Sequence, residues 1–317
     1  MHHTESAFSG TKVLITGGAG FIGSHLVERL VGQRAQVTVL DNFSRGLRSN
    51  LSSVSSRIRL IEGDIRDRSC VESAVRGQTL VFHLAAQSSV LHASADLDES
   101  FSSNVAGTFE VLRAAQSHNT RHLVFASSRE VYGDPLRLPV SEDSRLIPKN
   151  AYGISKLACE LYCRVFGDEG LSVSILRLAN VYGTRDTDRV IPVFIQKALS
   201  GQDLVLYGGG QVLDFVWIDI VIQGLLTCAA RAEAGSVVNL GSGRGITVRD
   251  LAERIIALSH SRSRIRHMPS RPLESVCFIA DMARAEAELG ISCTDQPVHK
   301  LECLLRSITA FPSSRPA

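Results

Sequence analysis

The sequence predicts an α/β fold: a doubly wound parallel sheet followed by a smaller, mixed α/β C-terminal domain. Short apolar runs up to about residue 180 have the length and composition of strands, and helical patterns separate several of them. Continuously apolar strands are typical of a parallel sheet that helices cover on both faces. The predicted strands are KVLIT (12–16), QVTVL (36–40), RIRLIEG (57–63), TLVFHLA (79–85), RHLVFAS (121–127) and LSVSILRL (171–178).

Helical patterns connect the strands in the first part of the chain, and the rhythm becomes less regular after about residue 180. The second part is therefore expected to form a smaller domain over the C-terminal edge of the sheet, where open α/β folds bind ligands. We predict one domain over residues 1–179, rejoined by 214–239, and a second over 180–213 and 240–317. The predicted helices are FIGSHLVERLV (21–31), SCVESAVRG (69–77), NVAGTFEVLRAAQSH (104–118) and NAYGISKLACELYCRVFGDEG (150–170).

Composition and charge exclude several classes of protein. The chain has 317 residues, of which 44% are hydrophobic and 21% charged, as is ordinary for a globular protein. Its net charge of +2 argues against a nucleic-acid surface, and no apolar run reaches the roughly 18 residues that span a bilayer. The seven cysteines form no C-x-x-C pair, so reduced thiols and a cytoplasmic protein are expected. We predict no metal site, because the pair His2–His3 lacks a preorganised third ligand.

A glycine-rich loop, TGGAGFIGSHL, follows the first predicted strand and opens a helix. Glycines let the backbone approach a pyrophosphate, and the helix N-terminus offers N–H groups and the positive end of its dipole. Strand, loop and helix in this order predict a Rossmann-type dinucleotide-binding domain. The residues expected to contact the cofactor here are Gly17, Gly20, Phe21, Ile22 and Gly23.

An acidic residue ends the second predicted strand. Asp41 lies eighteen residues beyond Gly23 and precedes Asn42, and both are expected to contact the cofactor. A carboxylate at this place accepts hydrogen bonds from the adenosine ribose and repels a 2′-phosphate, which predicts NAD rather than NADP. Arg45 favours NADP instead, because a nearby guanidinium would bind the 2′-phosphate.

Asp64 and Ile65 follow the third predicted strand and are also expected to lie beside the cofactor. Asp64 has two interpretations: it meets the adenine amino group, or it caps the helix that follows. The sequence favours neither.

Tyr152 and Lys156 are four residues apart in AYGISK, so they share one face of a predicted helix. Lowering the pKa of a phenol from about 10 to about 7 needs roughly 4 kcal/mol, which Lys156 and an oxidised nicotinamide would supply together. Tyr152 would then remove a hydroxyl proton while hydride leaves the same carbon. Alone, such a pair is more often a surface feature; the dinucleotide fingerprint upstream favours the functional interpretation.

These motifs, in this order, resemble the extended short-chain dehydrogenases/reductases, the NAD-dependent nucleotide-sugar epimerases and dehydratases. The resemblance covers roughly residues 11–290 and is closest to the UDP-glucose 4-epimerases. It also rests on GDIRD (63–67), HLAAQSSV (83–90), NVAGT (104–108), SSREVYGD (127–134) and RLANVYG (177–183).

The resemblance implies a catalytic trio of Ser128, Tyr152 and Lys156. Ser128 would hold the reacting oxygen, and Lys156 would also hold the nicotinamide ribose. Ser128 is alternatively a hydroxyl that caps the strand end, since Ser127 is adjacent. The resemblance further implies cofactor contacts from Leu84, Ala85 and Ala86, support for the strand ends near the cofactor from Asn104, and substrate contacts from Asn180, Val190 and Tyr207.

Glu130 has two interpretations. By the resemblance, dehydratases and decarboxylases carry a glutamate here, and in dehydratases it removes the hydrogen from carbon 5 of a 4-keto sugar. The aspartate that stands beside it in dehydratases and protonates the departing 6-hydroxyl is replaced in this chain by Arg129, whose guanidinium does not release its proton. Glu130 is alternatively a carboxylate paired with Arg129, as buried charges usually are. Arg129 would also suit the carboxylate of an acidic sugar.

The second domain departs from the family pattern. Leu213 stands where relatives carry an arginine that grips the diphosphate, a change that would cost about 1.5–3 kcal/mol of binding. Arg185 or Arg189 would compensate. Ile220 stands in place of a second aspartate, while Arg271 and Glu274 keep the cation and the acid of a later motif that binds substrate.

Three functions follow as hypotheses. The first is an NAD-dependent nucleotide-sugar 4-epimerase acting through a transient 4-keto sugar, with a UDP-hexose or UDP-hexuronate as substrate. The second is a dehydratase or decarboxylase that uses Glu130 on the same intermediate, and the third is an NAD-binding protein without turnover. The resemblance also implies a homodimer, packed through apolar residues of two neighbouring helices: Val105, Phe109, Leu112, Leu157, Leu161 and Val165.

Overall fold

The fold is built on strands that follow the predicted apolar runs closely. The structure is a computed structural model and describes residues 7–231, 235–273 and 276–310. Within these residues the strands are β1 (Lys12–Thr16), β2 (Gln36–Asp41), β3 (Ile58–Glu62), β4 (Leu80–His83), β5 (His122–Ser128), β6 (Val173–Leu178), β7 (Asn180–Tyr182), β8 (Leu204–Tyr207), β9 (Val212–Trp217), β10 (Val237–Leu240), β11 (Gly245–Thr247), β12 (Ile265–Met268) and β13 (Cys277–Phe278).

Seven of these strands form one parallel sheet in the order β10–β6–β5–β4–β1–β2–β3. The order reverses between β1 and β4, because the chain first winds outward through β2 and β3 and then crosses back to β4. Ligands of open α/β sheets bind at such a reversal, outside the carboxyl ends of the strands. The predicted doubly wound parallel sheet is therefore confirmed.

Helices cover both faces of the sheet. The α-helices are α1 (Phe21–Gly32), α2 (Arg68–Val75), α3 (Val90–Ala95), α4 (Leu97–Ser100), α5 (Gly107–Ser117), α6 (Ala151–Asp168), α7 (Val190–Leu199), α8 (Ile218–Arg231), α9 (Val248–Leu258) and α10 (Leu301–Ala310). Shorter 3-10 turns lie at Arg48–Arg57 and Arg129–Tyr132, and π-helical turns at Phe101–Ala106 and Ala285–Leu289.

Alternation along β1 shows how the two faces are filled. Val13 and Ile15 belong to a buried cluster that includes residues of α1 and α8, whereas Leu14 belongs to a second cluster with residues of α2, α5 and α6. Successive side chains of a strand point to opposite faces, so a strand buried on both faces must be apolar throughout. This is why continuous apolar runs marked the inner strands; the edge strand β3 carries charged residues and is partly exposed.

Smaller sheets stand beside the large one. β9 pairs with β7, β11 and β13, and β8 pairs with β12. β10 returns to the large sheet next to β6, and α8 packs on β5 and β6. The mixed α/β character expected of the second part is confirmed, while the domain limits themselves stay a prediction. No helix in the described ranges is long and apolar enough to cross a membrane.

The two helices expected at a dimer interface, α5 and α6, lie side by side on one face of the sheet. Within the single chain Val105 is 8% exposed, and Leu112 is fully buried in the cluster that includes residues of β4 and β5. The expectation that these two residues face a partner is therefore wrong. Leu161 and Val165 on α6 are each 50% exposed.

Candidate active site

The glycine loop between β1 and α1 has no room for side chains. A Cβ atom on Gly23 would lie 2.1 Å from the carbonyl oxygen of Gly17, and one on Gly17 would lie 2.8 Å from the backbone of Ala85. Gly17 also has a φ of +71°, which favours glycine. α1 begins after Gly20 without a side-chain cap. Its first N–H groups are therefore available to an anion.

Asp41 closes the loop from the end of β2. Its carboxylate accepts hydrogen bonds from the backbone N–H groups of Ala19 and Phe43, each at 2.8 Å. Burial raises the pKa of Asp41, and these two bonds oppose the rise. Arg45 forms an ion pair with Asp188. Its guanidinium is thus already engaged by a carboxylate, which removes the sequence-based argument for a 2′-phosphate.

Asp64 lies beside the cofactor region without lining the cavity there. Its carboxylate accepts from Asn42 at 2.9 Å and pairs with Arg66, whose hydrogen bonds lower the pKa of Asp64 to about 2. The cap of α2 is Asp67, which accepts from the N–H groups of Ser69 and Cys70. The interpretation of Asp64 as the helix cap is therefore wrong.

Asn104 supports the cofactor region from behind. Its side chain accepts from the N–H of Gln87 at 2.7 Å and donates to the carbonyl of Gln87 and the hydroxyl of Ser155. The loop after β4 is thereby tied to α6. Asn104 itself does not line the cavity.

These elements surround a cavity of about 330 Å³ at the carboxyl ends of β1, β2 and β4. Its shape and chemistry fit a dinucleotide, with a glycine cradle and helix N-terminus for the pyrophosphate and a carboxylate for a ribose. The predicted cofactor residues that line it are Gly17, Gly20, Phe21, Ile22, Gly23, Asp41, Asn42, Ile65, Leu84, Ala85, Ala86, Tyr152 and Lys156.

A larger cavity of about 620 Å³ adjoins the first, and Tyr152 lines both. The predicted substrate residues Ser128, Asn180, Val190, Tyr207 and Arg271 all line this second cavity. The guanidinium of Arg271 lies 3.6 Å from the ring centre of Tyr207. Glu274 lies outside the described residues.

Lys156 is one helical turn beyond Tyr152 on α6, as predicted. Its buried ammonium donates to the carbonyl oxygen of Ala126 at 2.9 Å and lies 5.9 Å from the ring centre of Tyr152. Burial lowers the pKa of Lys156. The side chain is thus held by the end of β5, with its remaining donors toward the dinucleotide cavity.

The expected fall in the pKa of Tyr152 is not produced by the protein's own groups. Burial raises this pKa to about 12; Arg189 and a hydrogen bond from Ser128 lower it, and Glu130 raises it further. Positive charge that a ligand brings beside the phenol would lower this pKa.

Ser127 and Ser128 have different tasks at the end of β5. Ser127 donates to the buried carboxylate of Glu160, although it also lines both cavities. Ser128 accepts from the N–H of Glu130 at 3.2 Å, lines the larger cavity and hydrogen-bonds Tyr152. Its hydroxyl therefore caps the turn that follows β5 and also faces the candidate reaction site.

Glu130 lines the larger cavity but is held by its neighbours. Its carboxylate pairs with Arg129 at 2.8 Å and accepts from the amide of Asn150, also at 2.8 Å. Asn150 caps α6 by accepting from the N–H of Gly153 and donates to the carbonyl of Leu273. It was not predicted as a site residue, although its place before a helix is a capping signal.

The segment between β7 and α7 contributes more charged residues to the two cavities than the sequence indicated. Arg185, expected at the substrate, lines the dinucleotide cavity and pairs with Glu28 at 2.7 Å. Asp186 and Arg189 pair at 2.9 Å where the two cavities meet. Burial raises the pKa of Asp186 to about 6 despite Arg189. No motif marked Asp186, because its burial arises from the tertiary fold.

Residues 13–241 match the model of the NAD dependent epimerase/dehydratase family. Over 268 residues, the chain is 35% identical to a UDP-N-acetyl-alpha-D-glucosaminuronate decarboxylase of Bacillus cytotoxicus, covering 81% of this chain and 83% of that one.

Two solved structures are also similar. One is a UDP-glucose 4-epimerase of Thermotoga maritima with UDP-glucose, at a TM-score of 0.89 and 30% identity, covering 95% of this chain and 99% of that one. The other is a dTDP-glucose 4,6-dehydratase of Streptomyces venezuelae with NAD, at a TM-score of 0.90 and 32% identity, covering 94% and 97%. The expected resemblance and the expected cofactor, NAD, are confirmed, and the chain belongs to the NAD-dependent epimerase/dehydratase family.

Proposed function

We propose that this protein is a nucleotide-sugar 4-epimerase that acts on a UDP-hexose or UDP-hexuronate through a transient 4-keto sugar. The observation that carries the proposal is the position of Tyr152, which lines both the dinucleotide cavity and the larger cavity and lies next to Ser128. A group in this position reaches cofactor and substrate together.

The chemistry requires such a group. Carbon 4 of a hexose carries a hydrogen that is not acidic, so its configuration is inverted by oxidation to a ketone and reduction from the other face. Bound NAD supplies the hydride acceptor and donor. Tyr152 takes the proton of the 4-hydroxyl and returns it, Ser128 holds the oxygen, and Lys156, fixed on Ala126, binds the cofactor.

A second candidate is a dehydratase or decarboxylase, because Glu130 lines the larger cavity. Two observations favour the epimerase instead. Both carboxylate oxygens of Glu130 already accept from Arg129 and Asn150, which argues against a free general base. The side chain beside it is a guanidinium, which does not serve as the general acid that a dehydratase needs to expel the 6-hydroxyl. The third hypothesis, an NAD-binding protein without turnover, has less support, because Ser128, Tyr152 and Lys156 lie close together beside the cavities.

We also propose a homodimer formed through the exposed side of α6. Leu161, Tyr162 and Val165 are 50%, 40% and 50% exposed, and Phe101 nearby is 63% exposed. Apolar side chains clustered in this way mark association surfaces. A Leu161→Glu/Val165→Glu variant is expected to sediment as a monomer; a wild-type protein that sediments as a monomer contradicts the proposal.

Reduced cysteines are consistent with the cytoplasm, which we propose as the compartment. All seven are free thiols, and Cys159, Cys163 and Cys228 are buried. Disulfides are rare where thiols are kept reduced.

Incubation with UDP-, dTDP-, GDP- and CDP-sugars, read by mass spectrometry and proton NMR, tests the proposed reaction. Epimerisation leaves the mass unchanged and inverts the coupling at carbon 4. Loss of water or of carbon dioxide would replace the epimerase by the second candidate. Absence of any product across the panel would contradict both.

A further inference from the structure

The charged side chains that line the larger cavity are mostly paired. Three carboxylates lie in its wall, and each has an arginine partner: Glu130 with Arg129, Asp186 with Arg189 and Asp188 with Arg45. Each such pair offers the cavity little net charge. A dianionic ligand therefore requires a cation beyond these three pairs.

Two further cations line this cavity: Arg271, which packs on the ring of Tyr207, and Lys197. Lys197 is the one that sequence motifs do not mark. It lines the larger cavity from α7, and within the described part of the chain its ammonium has neither an acidic partner nor a hydrogen bond. Its side chain is half-buried. A cation that loses water without gaining a partner is unfavourable, and an anionic ligand would remove that cost.

The direction of Lys197 follows from helical spacing. Val190, Val193, Phe194 and Lys197 occupy positions i, i+3, i+4 and i+7 of α7, which form one face of a helix. All four line the larger cavity. The apolar members form the wall, and the ammonium projects from the same face.

We propose that Lys197 binds the diphosphate of the nucleotide sugar and sets the affinity of the larger cavity for nucleoside diphosphates. The proposal rests on the proposed function insofar as the substrate is a nucleotide sugar. An ammonium acts on phosphate as a point charge and needs no fixed geometry. Leu213 lines the same cavity without charge, so Lys197 also compensates for the diphosphate-binding arginine expected at that place.

Binding of UDP, dTDP, uridine and thymidine to the NAD-loaded protein, measured by isothermal titration calorimetry, tests the proposal. Lys197→Met is expected to weaken both diphosphates about tenfold to a hundredfold and to leave the two nucleosides unchanged. Lys197→Arg keeps the charge and most of the affinity. Leu213→Arg, introduced into Lys197→Met, restores part of it, because it returns a cation to the same cavity.

Lys12→Met is the matched control, since Lys12 is exposed at the opposite end of β1 and lines neither cavity. A folded Lys197→Met protein that binds UDP and dTDP as the wild type does would overturn this inference alone. An equal loss for diphosphates and nucleosides would assign Lys197 to the base and overturn it as well. Wild-type protein that binds neither diphosphate contradicts the proposed function together with the inference.

Discussion

Tyr152 and Lys156 share one face of α6, yet the ammonium lies 5.9 Å from the ring centre and is held by the carbonyl of Ala126. Lys156 is therefore better placed to hold its neighbours in position than to lower the pKa of the phenol. Burial raises the pKa of Tyr152 to about 12, and Ser128 and Arg189 oppose that rise. Positive charge from a ligand beside this hydroxyl would lower the pKa again.

Replacing Tyr152 by phenylalanine removes the hydroxyl and little else. Turnover of the nucleotide sugar is expected to fall about 10²–10⁴-fold, the usual contribution of a positioned acid–base group. The affinity for NAD and the melting temperature should stay close to those of the wild type, which serve as the controls. Wild-type turnover by Tyr152→Phe would remove Tyr152 from the mechanism.

Glu130→Gln separates a structural carboxylate from a general base. Epimerisation per folded molecule is expected to stay within about tenfold, whereas a lyase that uses Glu130 would lose about 10²–10⁴-fold. The variant should be less stable, because Arg129 loses the charge of its buried partner. Assays below the melting temperature, with melting followed by circular dichroism, keep the two effects apart.

A buried ion pair ties β6 to α6. Arg177 on β6 pairs with Glu160 on α6 at 2.7 Å and donates to the hydroxyl of Tyr132, and the two charged side chains are 4% and 5% exposed. Glu160→Leu is expected to lower the free energy of unfolding by about 3–5 kcal/mol, since it leaves an uncompensated buried cation.

The matched control is the exposed pair formed by Arg306 and Glu302 on α10. Glu302→Leu should cost less than about 1 kcal/mol, because water and salt screen exposed charges. Urea denaturation of the variants provides the comparison. Equal losses for Glu160→Leu and Glu302→Leu would mean that burial does not govern the energetics of these pairs.

His83 makes stability depend on pH. The side chain is fully buried between the hydroxyls of Thr16 and Thr108, and burial lowers its pKa to about 3. The unfolded chain binds this proton near pH 6.5 and the folded one near pH 3, so stability is lost as the pH falls across that range. The loss in the free energy of unfolding reaches about 5 kcal/mol at most, at about 1.36 kcal/mol per pKa unit.

His83→Gln should remove this part of the acid sensitivity. Unfolding in urea at pH 7, 5.5 and 4 is the measurement, and the difference between wild type and variant isolates His83 from the carboxylates. If the free energy of unfolding differs between wild type and variant by the same amount at all three pH values, the assignment of this acid sensitivity to His83 is contradicted.

The parts of the fold that repeat a local pattern were predictable from sequence. The continuous apolar runs marked the strands because both faces of the sheet are buried, and the glycine loop was recognisable because Gly17 and Gly23 have no space for a Cβ atom. β7 was not predicted, since three residues carry no periodic signal.

The electrostatics of the site required the tertiary structure. Glu130 and Arg129 are adjacent in sequence, but that Asn150 holds the same carboxylate follows only from the packing of α6. Asp186 lies in a segment with three other charged residues, Arg185, Asp188 and Arg189, and only its burial distinguishes it from them. From the sequence we expect a lowered pKa for Tyr152, because the spacing shows a neighbouring charge. The spacing does not show that burial around the phenol raises the pKa instead.

The central claim is that Tyr152 serves a redox-neutral exchange in which hydrogen leaves carbon 4 and returns to it. Incubation of the NAD-loaded protein with UDP-hexoses and UDP-hexuronates in D₂O, followed by mass spectrometry and proton NMR, tests this claim most directly. The account predicts a 4-epimer of unchanged mass without carbon-bound deuterium. A product that has lost water or carbon dioxide, or that carries deuterium on carbon, would contradict it.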